Sequence, residues 1–337
     1  MKQRRISLKD LAEELGVSIA TVSRALRNSH EVGEEMKAKV KALAKRLNYR
    51  PNPFAQSLRK KTPRVIGVIV PNLVTHYYAS VLDGIEDYAS CFGYSVISSN
   101  SHESHEREEK AVENFISMHV DGIIACLAQD TVDYGHYLQL HDMGIPVVFF
   151  ARTCLPDMFS QVVANGDEAA QEATSHLIGA GSRRIAFIGG PNHLDMVKRR
   201  KHGYLEALRE HHLPIDRELV WCGRIDFDEA RNATVRLLQS EKRPDAILAF
   251  NDILTYAAFD AIKTCGLSIP DDVAIIGFTD GDSAAFVTPK LTAIMDQANE
   301  QGRKSCELLL RHIKGDQHIY KEIVPMILKI RESSEKH

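Results

Sequence analysis

From residue 65 onward, short apolar runs alternate with amphipathic stretches, and the series is run through twice. "RVIGVIVP" reads as a buried strand and "YASVLDGIEDYASCFG" as a helix. "YSVISSNS", a helix through "EEKAVENFISMHV", "DGIIACL", a helix near 134–143 and "IPVVFFA" follow. The series then restarts with "RRIAFIGGP", helix 198–212, "ELVWCG", helix 228–240, "PDAILAFND", helix 254–265 and "VAIIGF". Alternation at this spacing specifies a parallel, doubly wound sheet in each half. The halves, 65–163 and 164–292, are Rossmann-like and share an element order without being a close sequence repeat. The segment 293–337, with a helix at 297–314 and a strand through "EIVPMILKI", is expected to cross back and complete both.

A chain of 337 residues exceeds one ordinary core and suits two or three domains. With 44% hydrophobic and 26% charged residues it has a soluble globular composition. No run of ~18 apolar residues marks a membrane span, and "MKQRRISLKDLAEE" has no apolar core of a secretory signal. The six cysteines lie far apart without metal or redox spacing, which predicts small buried thiols in a reduced cytoplasmic protein.

Charge is distributed unevenly. Residues 1–64 carry a balance of +10 and the remainder −13, so a near-neutral total hides a cationic head on an anionic body. That asymmetry suits a chain whose one end meets a polyanion. The head supplies motifs for it. Ser7-Leu8-Lys9-Asp10 reads as a capping box; Leu8, Leu11, Ala12 and Leu15 recur at helical spacing, and Gly16 ends the segment. Ser18 caps a second helix whose inner face is Val22, Ala25 and Leu26. Two short helices across a glycine turn make a helix-turn-helix, whose second helix enters a major groove.

The outward residues suit that groove. Arg24 can fork onto guanine, worth ~1–3 kcal/mol of discrimination, and Ile19 and Ala20 suit thymine methyls. Thr21 and Ser23 offer hydroxyls, Arg27 a second guanidinium, and Ser7 a helix start that attracts phosphate. A third helix at 34–47 turns Met36, Val40, Leu43, Ala44 and Leu47 inward, leaving Lys37, Lys39, Lys41, Lys45 and Arg46 to water or phosphate. Asn52 before Pro53 then predicts a short helix, Pro53 to Arg59, too short to persist alone in water.

"SLKDLAEELGVSIATVSRALRN" with "YRPNPFAQSLR" resembles the head of the lactose-repressor (LacI/GalR) family of bacterial transcription regulators. The resemblance continues through "RRIAFIGGP", "FND" and "VAIIGF" over nearly the whole chain. It implies a small all-α helix-turn-helix head (1–50), a hinge helix and linker (51–64), and an α/β body of the periplasmic-binding-protein type. In the family, the hinge helix folds against its dimer mate in the minor groove, where an apolar wedge kinks the duplex. Leu58 stands at the wedge position, and Ala55 is the small residue facing the same step.

Ligands in open α/β sheets sit beyond the strands' carboxyl ends. Tyr77, Tyr78, Arg200, Asn251, Asp252 and Asp280 are therefore effector candidates. The resemblance gives Arg200 a grip on effector hydroxyls or carboxylate and Asn251 a pocket amide. This chain also departs from the family pattern: Thr279 replaces an aspartate, Ile225 an aromatic platform, Ala151 an aspartate, and Asn165-Gly166 an acidic–Asn pair. No nucleotide-binding, nucleophile-elbow or zincin motif occurs. His102, His105, His136 and His141 lack metal-ligand spacing and read as surface residues. No catalytic residue, cofactor or metal is expected.

The expected function is a transcriptional repressor. It would bind a pseudo-palindromic double-stranded operator as a homodimer, since one helix-turn-helix reads only a half-site. Its DNA affinity would be set by a small, carbohydrate-related effector between the subdomains. "RESSEKH" holds no leucine heptads, which disfavours a tetramer built on such a tail. The competing reading is a cytoplasmic small-molecule-binding protein of the same body fold without DNA regulation, against which the cationic head argues.

Overall fold

A computed structural model describes residues 6–47, 49, 63–279, 281 and 283–336. The chain divides into two compact units, Met1–Pro63 and Arg64–His337. The first unit contains α1 (Leu8–Leu15), α2 (Ile19–Leu26) and α3 (Glu34–Arg46). Ser7 and Asp10 cap α1 reciprocally. The Ser7 hydroxyl accepts the Asp10 N–H at 3.3 Å, and the Asp10 carboxylate accepts the Ser7 N–H at 2.7 Å. Gly16, at φ 64°, supplies the left-handed residue that lets α1 end in a tight turn. Ser18 then caps α2 by accepting the Thr21 N–H at 3.1 Å.

Leu11, Val22, Ala25, Val40 and Leu43 meet in the small core of this unit. Lys37, expected on the solvent or phosphate side of α3, is buried instead. Its ammonium reaches Glu34 at 2.6 Å, the habit of a long cation whose stem is covered while its head stays paired. The expected helix at 53–59 lies outside the described residues.

In the second unit, β1 (Val65–Val70), α4 (His76–Cys91), β2 (Ser95–Asn100), α5 (His105–Ser117), β3 (Gly122–Ala125), α6 (Gly135–Asp142), β4 (Val147–Phe150) and β5 (Ser160–Ala164) build the first half. The second half holds α7 (Gly166–Gly179), β6 (Ile185–Gly189), α8 (Asp195–Glu210), β7 (Val220–Cys222), α9 (Phe227–Leu238), β8 (Ala246–Ala249), α10 (Asp252–Thr264), β9 (Ala274–Phe278), α11 (Ser283–Phe286) and β10 (Thr292–Met295). The chain then returns through α12 (Ala298–Ile313), which packs on the first half, and ends with β11 (Lys321–Val324) and β12 (Ile327–Lys329).

The strand orders are β11-β5-β4-β3-β1-β2 and β12-β10-β9-β8-β6-β7. Each sheet is entered at an inner strand and reverses there. In the first, Ile66 lies opposite Val96 of β2 on one side and Gly122 of β3 on the other. β11 runs parallel to β5, whereas β12 is antiparallel to β10. "EIVPMILKI" is therefore not one strand. Pro325 has no N–H to give a ladder, and the residues on either side of Pro325-Met326 join different sheets. Ser160–Ala164 and Thr292–Met295 are strands that the apolar pattern did not single out.

Three passages join the halves, near Asn165, Gln297 and Pro325. They are tied together, since Asn165 accepts the Met326 N–H at 2.7 Å and Gln297 donates to the Pro325 carbonyl. α7 and α8, which flank the restart of the series, touch backbone to backbone. A Cβ on Gly203 would lie 1.9 Å from the Asp167 carbonyl oxygen. All six cysteines are free thiols; Cys91 is exposed, while Cys126, Cys154 and Cys306 are buried. Among the described residues, no helix is long and apolar enough to cross a membrane.

Candidate functional site

With Val22 and Ala25 turned into the core, α2 presents Ile19, Ala20, Arg24 and Arg27 outward; Thr21 and Ser23 are partly covered. Ile19 is 48% exposed, an apolar side chain left open to solvent. The polar groups are engaged locally. Arg24 pairs with Glu31 at 2.9 Å, both about half exposed. Arg27 folds back on the Ser23 carbonyl and hydroxyl, at 3.0 Å each. The Ser18 and Thr21 hydroxyls meet at 2.9 Å, and the Ser7 hydroxyl donates to Asp10 at 2.7 Å. Such exposed pairs are each worth only ~0–1 kcal/mol, so they give way readily to phosphate or base partners. Asn52, Ala55 and Leu58 lie outside the described residues.

In the second unit, the strand ends of both halves converge on a narrow cleft, partly open to solvent, at the place where open α/β sheets take small molecules. Nearly every residue lining it follows a strand. Asn72 and Tyr78 come after β1, Glu103 after β2, Arg152 after β4, Phe250 and Asn251 after β8, Thr279 after β9, and Asp296 after β10. Reversal of strand order beside β1 and β6 opens the crevice into which these loops turn.

Arg200, carried by α8, is buried there, although its neighbours Lys198 and Lys201 suggest a solvated face. Its guanidinium donates to the Phe250 carbonyl and to Asp296 at 2.9 Å. It also lies 3.8 Å from the centre of the Phe278 ring, a cation–π contact strengthened by desolvation. From the other half, Arg152 makes a two-pronged pair with Glu103, at 2.6 and 3.0 Å. Glu103 also accepts the Gln129 N–H at 2.7 Å. Two guanidiniums are thus matched by two carboxylates, and Asp252 adds a further acid at the rim. The cavity carries no excess of positive charge.

Tyr77 donates to Gln301 at 2.8 Å and stands edge-on to Tyr78. Burial pushes the Tyr78 hydroxyl well above its ordinary range and the neighbouring Cys126 thiol up to about 11, so both stay protonated. Asn251 spends its side-chain oxygen on the α10 cap, accepting the Leu254 N–H at 3.0 Å, which leaves its amide N–H groups to the cavity. Thr279 is buried in the wall. Asp280 lies outside the described residues. Ala151 sits beside Arg200 in a smaller adjoining cavity, while Asn165 serves the passages between the halves.

Ile225 lines the cavity and takes part in a clasp across it. Its N–H donates to the Gln129 side chain at 2.9 Å; His193 donates to the Gln129 carbonyl at 2.7 Å, and Arg224 pairs with Asp130 at 3.1 Å. Arg152, Glu103, Gln129 and Asp296 escaped sequence reading. Asp296 directly follows β10 and Arg152 lies two residues past the end of β4, a signal available in "TAIMD" and "VVFFAR". His136, expected at the surface, is buried against Glu108 at 3.0 Å, because α6 turns it toward α5.

Residues 7–52 match the model of bacterial regulatory proteins, lacI family, and residues 174–334 that of the periplasmic binding protein-like domain. Catabolite control protein A of Priestia megaterium is 31% identical over 316 residues, covering 92% of this chain and 93% of its own. The chain belongs to the LacI family of bacterial regulatory proteins. Among other LacI-family relatives, the ribose operon repressor of Bacillus subtilis (strain 168) is 32% identical over 308 residues, covering 91% of this chain and 92% of its own. The solved complex of the transcriptional regulator CelR with cellobiose superposes with a TM-score of 0.75 at 27% identity, over 98% of this chain and all of that one. This LacI-family chain is a DNA-binding transcription regulator.

Proposed function

We propose that this LacI-family regulator is a cytoplasmic, homodimeric repressor whose grip on a pseudo-palindromic operator is set by a neutral, hydroxyl-rich ligand held between the two halves of its body. In this reading Ile19, Ala20 and Arg24 meet base edges, and Ser7, Ser18, Thr21, Ser23 and Arg27 meet backbone or sugar. Asn52, Ala55 and Leu58 form the hinge contact in the minor groove. Tyr77, Tyr78, Arg200, Ile225, Asn251, Asp252, Thr279 and Asp280 face the ligand.

The carrying observation is the balanced pairing of Arg152 with Glu103 and of Arg200 with Asp296 around one cavity. Fixed donors and acceptors of both signs suit hydroxyl groups, whereas a polyanion needs unmatched cation. Relatives named for ribose and cellobiose support a carbohydrate. Glu103 and Asp296 are each tied to an arginine, which favours binding over acid–base catalysis.

A thermal-shift screen of neutral sugars, sugar acids and sugar phosphates tests the reading, followed by operator affinity with and without the hit. By linkage, a ligand that changes DNA affinity is itself bound with affinity altered by the same factor when DNA is present. A neutral sugar that raises the melting temperature and changes DNA affinity is expected. Stabilisation only by phosphorylated sugars would contradict the charge argument.

A further inference from the structure

α5 opens with His105 and carries Glu108 on the same turn; α6 opens with Gly135 and His136. One donor atom each from His105, Glu108 and His136 lies within 4.8 Å of the other two. Glu108 is fully buried and His136 nearly so, while His105 is half-buried and opens the group toward solvent. The Glu108 carboxylate accepts the Ala128 N–H at 2.6 Å and the Thr131 hydroxyl at 3.1 Å, and faces His136 Nε2 at 3.0 Å. Nδ1 of His105 and Nδ1 of His136 are buried without a hydrogen-bond partner among the described residues. Buried polar atoms are rarely left so, and each such atom calls for an explanation.

The geometry points to a divalent-metal site formed by His105, Glu108 and His136, taking one zinc-class cation per chain with solvent as a further ligand. Two imidazoles and a carboxylate are the donor set of an open four-coordinate zinc centre. Ligands about 2.0–2.2 Å from one tetrahedral ion stand about 3.3–3.6 Å apart, so donors within 4.8 Å of one another need draw together by no more than about 1.5 Å when an ion binds. The outer shell is already in place, since Ala128 and Thr131 hold the carboxylate that would bind the ion. His105 stands beside the His136–Glu108 pair, edge-on at 5.2 Å between ring centres, with its Nε2 3.5 Å from Glu109 and its Nδ1 unpartnered among the described residues. The ion would also fasten the loop that carries Gln129 into the clasp across the cavity.

Cobalt(II) is the probe, because its visible absorption reports coordination number. Full-length protein stripped with a chelator is expected to bind one equivalent, with the intense bands of a four-coordinate ion. Zinc should displace the cobalt and raise the melting temperature. His105→Gln should remove both the bands and the zinc-dependent shift while leaving the metal-free melting temperature unchanged. His141→Gln, on the exposed side of α6, should leave all of them intact. No stoichiometric cobalt binding, or the same titration in His105→Gln as in the parent, would overturn the site. These readouts do not depend on DNA or sugar binding.

Discussion

Arg200 and Arg152 reach the cavity from opposite halves, each buried against a carboxylate from a distant segment. Neither pair need add much net stability, because desolvation offsets attraction; removing one member is another matter. Arg200→Ala removes the buried cation that faces Asp296 and is expected to lower the unfolding free energy by about 3–5 kcal/mol, read by urea titration, and to abolish any sugar-induced thermal shift. A variant as stable as the parent, or with the shift intact, would remove Arg200 from this role. On α2, a base contact by Arg24 would require it to give up its exposed pair with Glu31. Glu31→Gln should therefore tighten operator binding several-fold by fluorescence anisotropy. Arg24→Ala should weaken it by about 1–3 kcal/mol and relax preference at a single base pair.

Elements carry the next set of constraints. The contact of α7 with α8 leaves no room for a side chain at Gly203, so Gly203→Ala must part the two helices; a fall in melting temperature larger than for Gly179→Ala is expected. At the far end of α7, burial holds the His176 imidazole below its ordinary value, and its ring meets the Ser334 hydroxyl at 2.9 Å. The unfolded chain thus binds this proton more tightly. The contribution of the neutral ring is complete above pH 6.5 and is lost progressively as the pH falls below it. His176→Gln should flatten part of the decline in melting temperature between pH 7.5 and 5.5, and an unchanged decline would assign it to other groups.

Local signals made much of this readable in one dimension. The reciprocal cap at Ser7 and Asp10, the turn at Gly16 and the apolar runs of β1, β6 and β9 all follow from nearest neighbours. What escaped depends on tertiary proximity. His105 and His136 sit on different helices; Arg200 differs from Lys198 and Lys201 only in the phase of α8 against the cavity; Pro325 ends one sheet's strand and begins another's only because two sheets flank it.

At the scale of the whole molecule, a cationic head and an anionic body divide the labour. Counterion release makes log K for DNA fall with log salt by about 0.9 per phosphate neutralised. Leu58→Ala should leave that nonspecific term nearly intact while weakening operator binding, and equal loss of both would remove the wedge. The account depends most on duplex recognition by paired heads, so its most direct test is selection from a random-sequence DNA pool by the full-length protein at moderate salt. Enrichment of an inverted repeat, with Arg24→Ala losing one symmetric pair of positions, is the expected result. Enrichment of no sequence, or of a site without two-fold symmetry, would contradict it.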